Sequence, residues 1–145
     1  MEQKIESLAT DDTAHMETQR TWVRDHFTPE AIHKYETLEG KLELLEGILA
    51  NGWIEPHETW KLQSLGIAFG DALAQKAGLY WCAVEDDYGR SPALQDLETT
   101  LVLFPQTMIS KRVERGETVD VRGLFDGLCA EIERLRSELP HRTVN

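Results

Sequence analysis

The chain has few cysteines, few cations and no long apolar run, and each shortage excludes a class of protein. Its 145 residues contain two cysteines, Cys82 and Cys129, and neither belongs to the Cys-x-x-Cys pair of a zinc ribbon or thioredoxin-type centre. We expect both thiols to be buried as small hydrophobic groups. No apolar stretch approaches the roughly 20 residues that span a bilayer. The first residues, through Glu6, lack the apolar core of a secretory signal, so we expect a cytoplasmic protein with no membrane partner.

Positive charge is scarce. Lysine and arginine number 15 against 26 aspartates and glutamates, and the formal net charge is -11. Nucleic acids and anionic membranes both require a basic surface, so neither is the expected partner. The acidic surface could attract a basic protein partner, or it could simply keep the protein in solution.

Signatures of catalysis are missing as well. There is no Walker loop, no Gly-x-Gly-x-x-Gly and no nucleophile elbow. His57-Glu58 begins like the zinc motif His-Glu-x-x-His, but Lys61 stands where the second histidine would be. The sequence therefore predicts no catalytic residue, no metal site and no cofactor, and it favours a protein that is not an enzyme.

Helical periodicity is the main pattern that the chain does show. Thr28-Pro29 resembles a helix start, and apolar residues recur behind it at three- and four-residue steps until Asn51-Gly52 ends the helix. Glycines at 66 and 70 lie on one face of the following helix, which indicates a close approach by another backbone. Further helices are expected at about 14–26, from Pro56 to Gly78, from Pro105 to about Arg115, and from 118 or 120 to Leu139.

Two segments have the composition of strands, Leu79–Glu85 and Thr99–Phe104. The segment between them contains Pro92 and is too long for a tight hairpin, so it is expected to form an ordered excursion. The predicted fold is α+β: one mostly helical domain over residues 1–145, with four to five helices and a small antiparallel sheet of two or three strands. Residues 1–13 are expected to fray, and residues 62–121 hold the motifs.

Two motifs stand out in this central part, Tyr88-Gly89-Arg90-Ser91-Pro92-Ala93-Leu94 and the segment from Phe104 to Glu117. Arginine guanidinium groups there, with Tyr88, could form a pocket for a carboxylate or a phosphate. In the competing interpretation these cations neutralise the protein's own carboxylates. The acidity of the chain favours the second interpretation, in which the carboxylates are Glu85, Asp86, Asp87 and Glu114.

Together with Leu65-Gly66-x-x-Phe69-Gly70-Asp71 and Leu79-Tyr80-Trp81, these motifs resemble a bacterial family of small proteins that is catalogued only as a domain of unknown function. The resemblance covers roughly the central and C-terminal two-thirds of the chain and leaves out the first 30 or so residues. It implies a relative without implying an activity. If the family shares a binding feature, the positions implied are Asp71, Tyr88, Arg90, Lys111, Arg112 and Arg115.

The expected function is that of a non-enzymatic interaction protein with an acidic helical face, which would neutralise a basic partner such as a toxin or a nuclease. The exposed carboxylates of that face would be Glu36, Glu39, Glu43 and Glu46. Self-association is a further expectation, because exposed tryptophans often mark interfaces; the candidates are Trp22, Trp53 and Trp60. The alternative is a small-molecule or anion-binding protein, or an enzyme, with a pocket lined by Tyr88, Arg90, Lys111, Arg112 and Arg115.

Overall fold

A computed structural model describes residues 3–142 and shows an α+β fold, in which helices pack on one face of a four-stranded antiparallel sheet. In chain order the regular elements are β1 Lys4–Glu6, α1 Thr10–Arg24, α2 Leu38–Ala50, α3 Thr59–Ala77, β2 Tyr80–Asp86, β3 Gly89–Gln95, β4 Val102–Leu103, α4 Met108–Glu114 and α5 Val121–Glu138. Short 3-10 helices occupy Ile32–Glu36 and Pro105–Thr107.

The sheet is larger than the sequence predicted. Its strand order is β1-β2-β3-β4, so the expectation of two or three strands is wrong. One of the strands that was not expected, β1, lies within the segment expected to fray, and Ile5 pairs there with Val84 of β2. One isoleucine between two charged residues is too short a pattern to predict a strand by itself, and the strand forms by pairing with β2.

The other misassigned segment is β3, which contains Pro92 and was expected to be an ordered excursion. The turn before it is tight: the Asp86 carboxylate accepts a hydrogen bond from the Tyr88 N–H at 2.8 Å, and Gly89 has a φ of 119°. Only the end of β3 is paired with β4, at Leu94 and Gln95. Pro92 therefore lies where the strand has no neighbour on one side, which is where a strand tolerates proline.

The long helix predicted from Thr28 is divided in the structure. A 3-10 helix precedes α2, and Thr37 between them is extended, with φ -92° and ψ 151°. Its hydroxyl accepts a hydrogen bond from the Gly40 N–H at 2.9 Å, so Thr37, rather than Thr28, is the N-cap. The predicted end of this helix is confirmed, because α2 stops at Ala50.

Helix α3 forms the centre of the core. Leu62, Leu65 and Phe69 are completely buried on it. A methyl group on Gly66 would lie 2.2 Å from the backbone carbonyl oxygen of Gln106. The predicted close approach of a second backbone is confirmed at Gly66, whereas at Gly70 the close neighbours are the side chains of Trp81 and Pro105.

The cysteines are free thiols, Cys82 buried and Cys129 half-buried. Burial raises the pKa of both. Over residues 3–142 the structure contains no helix with the length and apolar character of a membrane span.

Candidate functional site

Asp71 is the most heavily hydrogen-bonded carboxylate of the central motifs. It projects from α3, and its side chain is 12% exposed. Arg20 of α1 donates to both carboxylate oxygens, at 2.6 and 2.9 Å. The Tyr35 hydroxyl donates to one oxygen at 2.6 Å, and the Trp81 indole N–H donates to the other at 2.9 Å. A carboxylate has about four lone-pair sites, and all are used here by groups of the same chain.

The charges of this network stabilise one another. Burial alone would lower the pKa of Arg20, but the hydrogen bonds and charge of Asp71 outweigh it and raise that pKa above its ordinary value. Burial, and then the negative charge of Asp71, raise the pKa of Tyr35, so the phenol keeps the proton that it donates. Asp71 joins helices α1 and α3 to β2 and the first 3-10 helix, and it has no lone pair left for a ligand.

A buried lysine lies beside this network. Lys41 is 6% exposed, and its amine donates to the Gln75 side-chain oxygen at 2.6 Å. It also lies 5.1 Å from the centre of the Tyr35 ring, a distance typical of a cation–π contact. Burial lowers the pKa of Lys41, and the charge of Asp71 offsets part of that effect.

Arg90 binds carboxylates near the N-terminus of the chain. Its guanidinium donates to Asp12 at 2.7 to 3.1 Å and to Glu6 at 3.1 Å. The hydrogen bonds from Arg90 lower the pKa of both carboxyl groups. The expectation that Arg90 pairs within the protein agrees with these contacts, but Glu6 and Asp12 were not the partners expected.

The other motif cations lie apart from Arg90. The Arg112 guanidinium donates to the Met108 carbonyl oxygen at 2.8 Å, and Arg115 lies 3.5 Å from Glu117.

Of the six positions that the family resemblance implied, the structure brings two together. Tyr88, which is fully exposed, and Lys111 line an open cleft of about 320 Å³ with Asp86, Ser91 and other residues. Within the described chain, the lining of this cleft includes neither Asp71 nor any of the three motif arginines.

The predicted acidic face is partly neutralised by α5. Arg122 donates to Glu39 at 2.6 and 3.0 Å and to Glu46 at 2.8 Å. The Glu36 carbonyl oxygen accepts a hydrogen bond from Gln75. Glu43 is exposed and lines a groove that it shares with Trp53.

The three tryptophans expected at an interface form one connected cluster with a histidine. We call Trp22, His26, Trp53 and Trp60 the aromatic patch. Trp22 packs edge-on against His26 at 4.6 Å and against Trp60 at 6.0 Å, and His26 stacks on Trp53 at 6.0 Å. Trp53 is 59% exposed and Trp60 39%.

His26 fixes the geometry of the aromatic patch. Its Nδ1 lies 2.8 Å from the Trp22 carbonyl oxygen at the end of α1. A carbonyl only accepts, so Nδ1 carries the proton of this hydrogen bond. The ring thereby satisfies a carbonyl that the helix end leaves open, and it supports Trp53.

A shallow groove of about 320 Å³ adjoins the aromatic patch. We call it the patch groove; it is lined by His26, Phe27, Glu43, Leu44, Gly47, Ile48, Asn51 and Trp53. Among these lining residues, Glu43 is the carboxylate, and no lysine or arginine is present.

The central part of the chain matches a known family. The family DUF3806, a domain of unknown function, matches residues 41–125, more than half of the chain. The chain belongs to the DUF3806 family. An uncharacterised family was expected from the motifs, and at that level the expectation is confirmed.

One solved structure shares the fold. It is the crystal structure of a protein from Bacteroides thetaiotaomicron VPI-5482, with a TM-score of 0.72 and 14% sequence identity, covering 88% of this chain and 47% of that one. This chain thus spans about half the length of that protein, and the likeness concerns the fold alone. No protein of curated function shows a significant match.

The DUF3806 segment contains only part of the Asp71 network. Trp81 lies inside it, whereas Arg20 and Tyr35 precede it. Sequence reasoning singled out Asp71 but not these donors. A buried carboxylate requires donors, yet nothing in the spacing shows which residues supply them from 51 and 36 positions away.

Proposed function

We propose that this DUF3806 protein is a non-enzymatic, protein-binding module whose aromatic patch docks a basic segment of a partner protein. The observation that carries the proposal is the exposure of Trp53 and Trp60 within one contiguous patch. Tryptophan is among the residues that contribute most to binding at protein interfaces. Contiguous exposed apolar surface of this kind is typical of an interaction site.

The aromatic patch is already ordered. Trp53 rests on His26, and His26 is held by the Trp22 carbonyl. Binding therefore costs little side-chain entropy, because the rings are in place before a partner arrives.

Charge complementarity selects the partner. The chain carries a formal charge of -11, and Glu43 lies in the patch groove beside Trp53. A lysine or arginine placed over an exposed tryptophan also gains a cation–π attraction. A segment that carries both cations and apolar side chains fits these features.

We assign the protein to a bacterial cytoplasm. Two free thiols are typical of a reducing compartment, and the motifs resemble those of bacterial proteins. The alternative, an anion-binding protein or enzyme, has weaker support, because Asp12 and Glu6 already occupy the guanidinium of Arg90.

Calorimetric titration with two designed peptides tests the proposal. One is an amphipathic helix of lysine and leucine; the other has the same length and pattern with glutamate in place of lysine. We expect the lysine peptide to bind and the glutamate peptide not to bind. Trp53→Ala should weaken the binding of the lysine peptide about tenfold, equivalent to about 1.4 kcal/mol. Glu43→Gln should weaken it by a smaller factor.

Tyr88→Ala is the matched control, because Tyr88 is an exposed aromatic residue outside the aromatic patch. Equal binding of both peptides, or equal losses in Trp53→Ala and Tyr88→Ala, contradicts the proposal. Sedimentation of the free protein tests whether the chain self-associates. If the wild type is a dimer that Trp53→Ala dissociates, the aromatic patch joins two copies of the chain, and the basic partner is excluded.

A further inference from the structure

A second groove is lined in part by Gly52 and Ile54, the residues on either side of Trp53. It runs between the C-terminal end of α2 and the 117–121 segment that leads into α5. Its volume is about 520 Å³, which is in the range of small-molecule sites. We call it the aliphatic groove; its lining shares only Ile48 with the patch groove.

The floor and walls of the aliphatic groove consist of branched hydrocarbon side chains. Ile48, Leu62 and Val121 form a buried floor, with exposures of 3%, 0% and 3%. The walls are only partly buried, so they still present hydrocarbon surface to the groove; they are Leu49, Ile54, Val113 and Val119. No aromatic residue lines the described groove, so its surface favours a flexible alkyl chain over a ring that requires stacking.

The charged groups at the aliphatic groove all have one sign. Its lining includes the carboxylates of Glu46, Glu117 and Asp120 and, among the described residues, no lysine, arginine or histidine. Glu46 is paired with Arg122 at 2.8 Å. Glu117 is half exposed and lies 3.5 Å from Arg115, beyond ordinary hydrogen-bond length.

The ends of the helices add to this field. Helix α2 ends at the groove, and the C-terminal end of a helix carries a partial negative charge. Helix α5 begins there with the opposite polarity, but Asp120 caps it by accepting a hydrogen bond from the Gly123 N–H at 3.0 Å. The lining of the aliphatic groove therefore favours a cation, and Arg122 and Arg115 offset only part of its negative charge, because Asp120 and the end of α2 have no such partner among these two arginines.

We propose that the aliphatic groove binds a small aliphatic amine in its protonated form, with the alkyl chain on the hydrocarbon floor and the ammonium beside Glu117. The floor contributes affinity through burial of apolar surface. The carboxylates and the end of α2 contribute selectivity for the cation over neutral or anionic molecules of the same length. This site does not depend on the aromatic patch or on a protein partner.

Amide NMR titrations with hexylammonium, hexanol and hexanoate test the proposal on the wild-type protein. We expect hexylammonium to shift the amides of residues 48–54 and 117–121, and to bind roughly fivefold more tightly than hexanol, which is the factor expected for one ion pair near 4 Å in water. Hexanoate should bind most weakly. Equal affinities for hexylammonium and hexanol overturn the proposal, as do shifts confined to other parts of the chain.

Variants test the ionic and the apolar parts of the interaction separately. Glu117→Gln should remove most of the preference for hexylammonium over hexanol, and Val119→Ser should weaken both ligands. Glu43→Gln is the control, because it removes a carboxylate outside the aliphatic groove and should change neither affinity. Trp53→Ala should also leave both affinities unchanged, which separates this proposal from the function proposed above. A loss in Glu43→Gln equal to that in Glu117→Gln means that net charge, not the groove, selects the cation, and contradicts the proposal.

A blocked lysine, acetylated at one end and amidated at the other, distinguishes a free amine from a lysine side chain of a partner. Its ammonium has a shorter alkyl chain beside two amide groups. Tighter binding of hexylammonium supports the proposal. Tighter binding of blocked lysine assigns the aliphatic groove to a peptide and overturns it.

Discussion

Among single residues, Asp71 illustrates how hydrogen bonds decide the role of a carboxylate. Its motif marked it as a candidate for ligand binding, but Arg20, Tyr35 and Trp81 together occupy both of its oxygens. A carboxylate that is fully used in this way contributes to stability. The sequence identifies the acid, whereas the donors become visible only when separate elements meet.

Asp71→Asn tests this role. The amide removes the less exposed of the two carboxylates that bind the Arg20 guanidinium and leaves it with Glu17, which lies 2.7 Å away and is half exposed. We expect a loss of about 3 kcal/mol in the free energy of unfolding, as for other broken ion pairs with little exposure. Urea unfolding measures it. Asp126→Asn, an exposed change on α5, should stay within about 0.5 kcal/mol of the wild type; a similar small value for Asp71→Asn would contradict the assigned role.

Two glycine substitutions give a second test at this scale. Gly66→Ala places a methyl group 2.2 Å from the Gln106 carbonyl oxygen, so backbone must move, and we expect a loss of about 2 kcal/mol. Gly127→Ala is its control, because nothing lies within 4 Å of a methyl group there. In the interior of a helix that change should stabilise the protein by about 0.5–1 kcal/mol. Thermal unfolding of both variants compares them, and equal stability changes would contradict the tight contact at Gly66.

Among the elements, the helices were predicted from the sequence more accurately than the strands were. The start of α5 at Asp120 and the end of α3 at Gly78 were predicted from local signals, and the structure confirms both. Strand β1 has no local sequence signal that predicts a strand, because it is held by pairing with β2 and by the ion pair between Glu6 and Arg90. The break at Thr37 was missed for a related reason, because the apolar period continues through it. The extended backbone of Thr37 and the hydrogen bond that its hydroxyl accepts from the Gly40 N–H are visible only in the structure.

The attachment of β1 depends on pH. Arg90 lowers the pKa of Glu6 and Asp12 in the folded protein. Their contribution is therefore complete above the ordinary values of 4.5 and 3.8, and it is lost as the pH falls through the lowered values. We expect the NMR contacts between Ile5 and Val84 to persist at the ordinary carboxyl pKa values and to disappear only at lower pH, before the core unfolds.

Arg90→Gln should detach β1 already at neutral pH. Arg134→Gln is the matched control, because Arg134 also binds two carboxylates, but within α5 alone. Persistence of the contact between Ile5 and Val84 in Arg90→Gln would show that backbone pairing is sufficient to hold the strand.

At the scale of the whole molecule, the family segment and the folding unit differ. The DUF3806 match covers residues 41–125, but the core also includes Val23 of α1, Tyr35 and Ile132 of α5. Arg20 completes the Asp71 network from outside the segment. Periodicity predicted the helices that build most of this core, within a single mostly helical domain. The interactions that join residues 3–40 to the remainder were not visible in it.

We therefore expect a protein cut to residues 41–125 not to fold by itself. It would leave Asp71 without Arg20 and Tyr35, and it would expose the face of α3 that α1 covers. Circular dichroism on heating should show no cooperative transition, whereas residues 3–142 should show one. A sharp transition in the shorter protein near that of the longer one would contradict this expectation.

The shared carboxylate of Asp71 also has a consequence for divergence among homologues. Because one acid serves donors from α1, the first 3-10 helix and β2, a lineage that replaces it with an apolar residue gains by replacing Arg20 as well. Substitutions at these positions should therefore occur together in descent, and a homologue that keeps the arginine while lacking the acid should keep Glu17, which already binds the guanidinium, or carry a new anion nearby.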